Sequence, residues 1–227
     1  MWHLFSRLAS TQTSLLKGGF VELACLDLEG VLVPEIWVNV AQRTGIEALR
    51  ATTREVPDYD VLMRQRLAIL EEHGLCLKDI QNVIDTLDPL PGAPEFLQWL
   101  RANFQVIILS DTFYEFAAPL MRKLGWPTLF CNYLDVDERD RVVGYQLRQP
   151  DQKRMSVISL HQLKFRVIAA GDSYNDTSML KEADKGIFFR PPEKISAEFP
   201  DFPVTHEYAE LSRQFCLASE RPIVPQG

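Results

Sequence analysis

"ACLDLEGVLVPE", residues 24–35, is the stretch whose reading decides the fold. An apolar run stops at Asp27, a second acid comes at Glu29, and Gly30 stands directly after it. Buried charge is costly unless it is paired or bound to a metal. Either a buried strand ends here at a functional mouth, or the two acids lie in water.

Working outward, the same texture recurs. "VELACL" (21–26), "QVIIL" (105–109), "FRVIAA" (165–170) and "KGIFF" (185–189) are continuous apolar runs of strand length. Helical stretches separate them at 93–102, 114–124 and 177–183, with Gly125 and then Pro127 stopping the second. Continuous apolar strands alternating with helices imply an α/β fold, a doubly wound parallel sheet covered on both faces. Two stretches break the rhythm. Residues 34–88 contain no clear strand and read as several helices, too long for a simple crossover. Residues 133–147, "YLDVDERDRVVGYQL", alternate apolar and polar residues around a charged turn, a hairpin signal. The expected organisation is a non-core extension over 1–20, an α/β catalytic core over 21–33 and 89–227, and an inserted helical cap over 34–88.

Bulk composition narrows the class. A net charge of -7 argues against nucleic acid as a partner. The four cysteines are far apart, with no Cys-x-x-Cys and no Cys/His zinc spacing, and they read as reduced thiols of a cytoplasmic protein. No apolar run is long enough to span a membrane. The first 20 residues contain no acid and lack the unbroken apolar stretch of a secretory signal. They read as an organellar presequence or as an extension ahead of a folded part that starts near Val21.

The chemistry is carried by the residues just beyond three of the strands. The first strand leads into Asp27-Leu28-Glu29-Gly30, the second into Ser110-Asp111-Thr112, and the third into Gly171-Asp172-Ser173-Tyr174-Asn175-Asp176. In open parallel sheets ligands bind outside the carboxyl ends of the strands. Asp27, Glu29, Ser110, Asp172 and Asp176 therefore converge on one crevice. Their mutual repulsion suits a hard divalent cation such as Mg²⁺, which in turn favours a phosphate substrate. Taken alone, "GDSYND" reads equally well as a strand-to-helix turn. Lys153, expected in the first turn of a helix, is either a solvated side chain or the positive group that a phosphate requires. Arg66 falls in the middle of the apolar face formed by Tyr59, Leu62, Met63 and Leu70. It is either half of a buried ion pair or a clasp for a substrate carboxylate.

"DLEGV", "VIILSDT", Lys153 and "GDSYND", in that order and spacing, resemble the four motifs of the haloacid dehalogenase superfamily in its phosphatase branch. "DLEGVLVPE", "YDVLMRQRL", "ILSDTFYEF" and "AAGDSYNDTSML" are similar to the bacterial phosphoserine phosphatase/homoserine phosphotransferase group, over nearly the whole chain after residue 20. The resemblance implies a Rossmannoid core with a helical cap, an Mg²⁺ cofactor and a covalent mechanism. Asp27 would form an aspartyl-phosphate, and Glu29 would act as acid and then base. The ion would lie between Asp27, the Glu29 backbone carbonyl and Asp172. Asp176 would act through a metal-bound water or by orienting Lys153. Ser110, amides near Asp111, and Lys153 would hold the phosphoryl oxygens, while Asn175, Glu35 and Arg66 would contact the substrate. Arg66 and Glu35 together describe an amino-acid zwitterion. Implied partners are phosphoserine, with homoserine as a second acceptor, and the resemblance leaves room for a homodimer.

Two departures from ordinary phosphoserine phosphatases stand out: Glu29 where they have Asp, and Asp111-Thr112 where they have Gly-Gly. Glu35 is also shifted by one position. Rival readings are a phosphatase for another small metabolite, a non-catalytic receiver-like signalling domain, and a metal-binding scaffold. Receivers carry their metal acids on the first strand and the phosphoaccepting Asp on the third, with no cap.

Overall fold

The computed structural model describes residues 21–52, 55–56 and 58–226. The expectations for residues 1–20 lie outside the described residues. In chain order the elements are β1 (Val21–Leu26), α1 (Ile36–Thr44), α2 (Tyr59–Glu72), α3 (Leu77–Asp85), α4 (Ala93–Asn103), β2 (Gln105–Phe113) and α5 (Tyr114–Lys123). They continue with β3 (Thr128–Val136), β4 (Val142–Gln146), α6 (Gln152–Gln162), β5 (Phe165–Gly171) and α7 (Thr177–Glu182). The last are β6 (Lys185–Phe189), α8 (Glu193–Glu198), β7 (Val204–Thr205) and α9 (Tyr208–Ala218).

The strands form one sheet in the order β4-β3-β2-β1-β5-β6-β7. All pairings are parallel except β3 with β4. The strand order reverses at β1, which lies between β2 and β5, so the crevice of a doubly wound sheet opens at its carboxyl end. Continuous apolar runs are required because each strand is covered twice. In β1, Ala24 and Leu26 enter the larger core while Leu23 and Cys25 enter the smaller one on the opposite face. In β5, Ile168 and Ala170 divide from Val167 and Ala169 in the same way.

Two strands differ from the expectation. β2 does not stop at Leu109 but continues to Phe113, and its register against β3 shifts between Leu109 and Phe113. Ser110 therefore lies within an irregular stretch of strand, where a bulge redirects side chains. β3 begins at Thr128, pairs parallel with β2 first, and only then runs into the hairpin with β4. Its first residues are unevenly buried, so they give neither a continuous apolar run nor a clean alternation.

Among the described residues of 34–88, the regular elements are helices and none is a strand. Asp58 caps α2, its side chain accepting the Val61 N–H at 3.1 Å. The buried side chains of this segment, including Trp37, Val40, Met63, Leu70, Ile80 and Ile84, belong to the same apolar cluster as Ala24 and Leu26. Trp37 meets Phe116 of α5 edge-on at 5.3 Å between ring centroids. The segment thus packs into the core of the sheet instead of enclosing a core of its own.

Candidate active site

Asp27 is the first residue beyond β1. Its N–H continues the pairing to the Ala170 carbonyl at 3.0 Å. The residue is 5% exposed, and Oδ1 accepts the Leu28 N–H at 2.7 Å. The chain then turns through Gly30 at φ +77°, and the Asp172 carboxylate lies against that glycine. A Cβ at Gly30 would stand 2.4 Å from Asp172 Oδ2, so only glycine leaves room for the second acid. Gly171 does the same for Asp176, whose Cγ would lie 2.3 Å from an added Cβ.

Asp27, Asp172 and Asp176 each offer a carboxylate oxygen, and these oxygens lie within 4.8 Å of one another. Lys153 of α6, 3% exposed, reaches into this group. Its Nζ lies 3.0 Å from Asp27 Oδ1, 2.7 Å from Asp176 Oδ1 and 3.4 Å from Asp111 Oδ2. Burial alone would lower the Lys153 ammonium, but Asp111, Asp176 and Asp27 hold it well above its usual range. Asp176 is fully buried and turns its other oxygen to the Asp172 N–H at 2.9 Å, the Ser173 N–H at 3.0 Å and the Ser173 hydroxyl at 3.1 Å. Its contact with Lys153 is the one that an orienting role for Asp176 requires.

Three aspartates therefore share one lysine, and Asp172 stands beside two of them. Burial, then Asp176, and also Asp172 push the Asp27 carboxyl well above the usual range, against the pull of Lys153. A carboxyl held protonated is a poor nucleophile. The donor set is all oxygen and carries excess negative charge, which fits a hard divalent cation.

Glu29 is turned away from this group. Its Oε2 accepts the N–H of Ile36, the first residue of α1, at 2.7 Å. Burial and the neighbouring Glu35 raise its carboxyl to about 7, despite that amide bond. The metal contact expected of Glu29 is through its backbone carbonyl, and the side chain stands apart from the three aspartates, free for proton transfer.

A cavity of about 680 Å³ opens above these groups. Its wall includes Glu35, Arg66, Ser110, Asp111 and Asn175, so every residue expected to touch substrate is brought to one space. Ser110 is buried beneath the floor and accepts the Thr112 N–H on Oγ at 3.3 Å. Glu35 and Asn175 are exposed on the rim. Arg66 is 7% exposed, stacks over Trp37 at 4.5 Å and donates to the Ala51 carbonyl at 2.9 Å. Its Nε has no hydrogen-bond partner, and no carboxylate lies within ion-pair distance of it among the described residues. Burial lowers the guanidinium to about 10. Glu29 and Glu35 stand near enough to favour its charge, but neither is in ion-pair contact, which leaves the guanidinium open to an external anion.

Three contributors are not singled out by the sequence. Gln152 donates to the Ser110 carbonyl and to Asp111 Oδ1, the latter at 3.2 Å. Tyr59 lines the cavity and donates to the Asp111 carbonyl at 3.2 Å. Lys194 stands on the rim. Tyr59 shares the helix face of Arg66, a signal that was available; Gln152 and Lys194 carry none.

A parallel sheet with carboxylates beyond β1 and β5, a serine in β2 and a lysine from α6 defines a phosphoryl-transfer hydrolase. Residues 21–184 match the model of the haloacid dehalogenase-like hydrolases, and the chain belongs to that family. It is 66% identical over 203 residues to "Phosphoserine phosphatase ThrH" of Pseudomonas aeruginosa, covering 89% of this chain and 99% of the relative. It is 65% identical over 204 residues to a phosphoserine phosphatase of Pseudomonas syringae pv. tomato, covering 90% and 86%. Among solved structures, the fold matches a phospho-aspartyl intermediate analogue of phosphoserine phosphatase with a TM-score of 0.71, at 21% identity, over 87% of this chain and 99% of that one.

Proposed function

We propose that the protein is an Mg²⁺-dependent phosphoserine phosphatase that works through an aspartyl-phosphate and also passes the phosphoryl group to homoserine. The observation that carries this is Arg66. A buried guanidinium with an unpartnered Nε lines the same cavity as Asp27 and Lys153, so a carboxylate and a phosphate can be held at once. Similarity to phosphoserine phosphatases along nearly the whole of one relative supports the same substrate.

Asp27, Asp172 and the Glu29 backbone carbonyl would hold the ion. When bound, Mg²⁺ supplies charge neutralisation for the attacking carboxylate and the phosphoryl oxygens. Arg66 clasps the substrate carboxylate bidentately and Glu35 receives its ammonium. Ser110, amides near Asp111, and Lys153 hold the phosphoryl oxygens, with Lys153 fixed by Asp176. Asp27 forms a bond to phosphorus as the serine oxygen leaves, taking the Glu29 proton. Glu29, now a carboxylate, removes a proton from the incoming water or alcohol, and the Asp27–phosphorus bond breaks. A carboxyl near 7 can serve in both directions.

The inserted segment 34–88 acts as the cap that excludes bulk water. The partner is a small-molecule substrate; among the described residues no helix is long and apolar enough to cross a membrane. The test is purified protein with Mg²⁺ and phosphoserine, with and without homoserine, following free phosphate and phosphohomoserine together. Turnover of phosphoserine that survives Arg66→Ala unchanged would contradict the substrate assignment.

A further inference from the structure

The hairpin of β3 and β4 is attached to the helices over the crevice at two points that the chemistry above does not use. At its turn, Asp140 accepts the first amides of α3: the Leu77 N–H on its carbonyl and the Lys78 N–H on Oδ2, both at 2.8 Å. Along β4, the Tyr145 hydroxyl donates to Asp60 Oδ1 in the first turn of α2 at 2.5 Å. The Tyr145 ring also meets the Tyr59 ring edge-on, 5.9 Å between centroids and 82° between planes. Tyr59 continues the chain inward through its bond to the Asp111 carbonyl, next to Ser110.

The two helices differ in what else holds them. α3 is also tied to the core by Lys123, which donates to the carbonyls of Asp85 at 2.9 Å and Leu87 at 2.7 Å, and by Gln81, which donates to the Glu115 carbonyl at 2.9 Å. The start of α2 reaches the sheet through Tyr59 and Tyr145. That same helix carries Arg66.

We propose that Tyr145 is a positioning residue which, through Asp60 and Tyr59, holds α2 down over the crevice and thereby sets how much of the aspartyl-phosphate passes to an alcohol instead of water. This rests on the functional reading above. In the transfer step the bond between phosphorus and the Asp27 oxygen breaks, a bond to the acceptor oxygen forms, and the acceptor's proton goes to Glu29. Water attacks the same phosphorus with the same proton balance and is present in vast molar excess. An alcohol competes only while bulk water is kept out. Loosening α2 admits water and lets Arg66 drift, without altering Asp27, Lys153 or Asp172.

The experiment uses Tyr145→Phe, which keeps the ring, Asp60→Ala, which removes the acceptor, and the double variant. Each single change is expected to lower the ratio of phosphohomoserine to phosphate by about two- to tenfold, the scale one hydrogen bond supports. Total phosphoserine cleavage at saturation should stay near that of the unaltered protein, while KM rises. The double variant should match the singles, because both remove the same bond. Amide hydrogen exchange across Tyr59–Glu72 should quicken in all three. An unchanged product ratio, unchanged exchange in a folded variant, or an unaltered protein that releases only phosphate at saturating homoserine would overturn the proposal. Failure of the unaltered protein to cleave phosphoserine defeats the functional reading instead, and hydrogen exchange then still judges the latch alone.

Discussion

Glu22 and Asp27 lie near opposite ends of β1, both buried, and their surroundings are opposite in kind. Glu22 has its charge met. Arg221 Nε lies 2.9 Å away and Arg166 Nη1 3.3 Å, with the Ser219 hydroxyl at 2.6 Å and the Glu220 N–H at 2.7 Å. Burial alone would raise its carboxyl, but these partners outweigh it and hold Glu22 below the usual range. Asp27 shares one lysine with Asp111 and Asp176, and Asp172 stands beside them. Its carboxyl is pushed up. One end of the strand has its charge met within the protein, and at the other more carboxylates gather than one lysine can balance. What separates the two carboxylates is balance, since burial is common to both.

The comparison breaks most sharply at Asp27. In the proposed mechanism Asp27→Asn removes the nucleophile, so it should lower phosphoserine turnover by at least about 10³-fold, measured by phosphate release. Glu22→Gln should leave kcat unchanged within experimental error. If both changes abolish turnover through misfolding, circular dichroism will show it.

Next in size is the proton partner. Glu29→Gln should cost about 10²–10⁴ in kcat, with KM nearly unchanged, because the amide can still meet the Ile36 N–H but cannot move a proton. Removal of divalent cations by a chelator should likewise abolish turnover, and adding Mg²⁺ back should restore it. Mg²⁺ should raise the melting temperature of the unaltered protein and raise it less in Asp172→Asn. A scaffold that merely binds metal would show the second effect without the first.

The smallest effects concern stability at the balanced end. Glu22→Gln should destabilise by about 1–3 kcal/mol in chemical denaturation, since Arg221 and Arg166 lose their charged partner while two hydrogen bonds can persist. The pH dependence has a fixed sign. Because the folded Glu22 carboxyl is held below its unfolded value of 4.5, its contribution is complete above that pH and fades as pH falls through the folded value. The stability difference between the unaltered protein and Glu22→Gln should therefore shrink on acidification below about 4.5. A difference that grew instead would mean that Glu22 is buried at a loss.

The same physics decides how much of this was legible in the sequence. β1 and β6 were readable residue for residue, because a strand covered on both faces must be continuously apolar. The parallel start of β3 was not, since its burial is uneven. Ser110 was read as a strand end but lies inside β2; a register shift there depends on the neighbouring strand and leaves no local trace. Lys153 stood out only through the resemblance, whereas Asp27 and Asp172 stood out as candidates because acids just beyond apolar runs are costly anywhere except at a functional mouth. Arg66 was legible for the same reason on a helix face. Gln152, Tyr59 and Tyr145 act through tertiary contacts with partners 41, 52 and 85 positions away, and no pattern along the chain encodes such a pairing. The balance around Glu22 was likewise invisible, since Arg166 and Arg221 reach it from 144 and 199 positions along the chain.

The most direct test is to quench the protein with acid during phosphoserine turnover in Mg²⁺ and to map the phosphoryl group by peptide mass spectrometry. The account predicts one phosphoryl group on the peptide that contains Asp27, removed by hydroxylamine and missing from Asp27→Asn. Steady release of phosphate with no phosphorylated peptide, or with the label on any other residue, would contradict it.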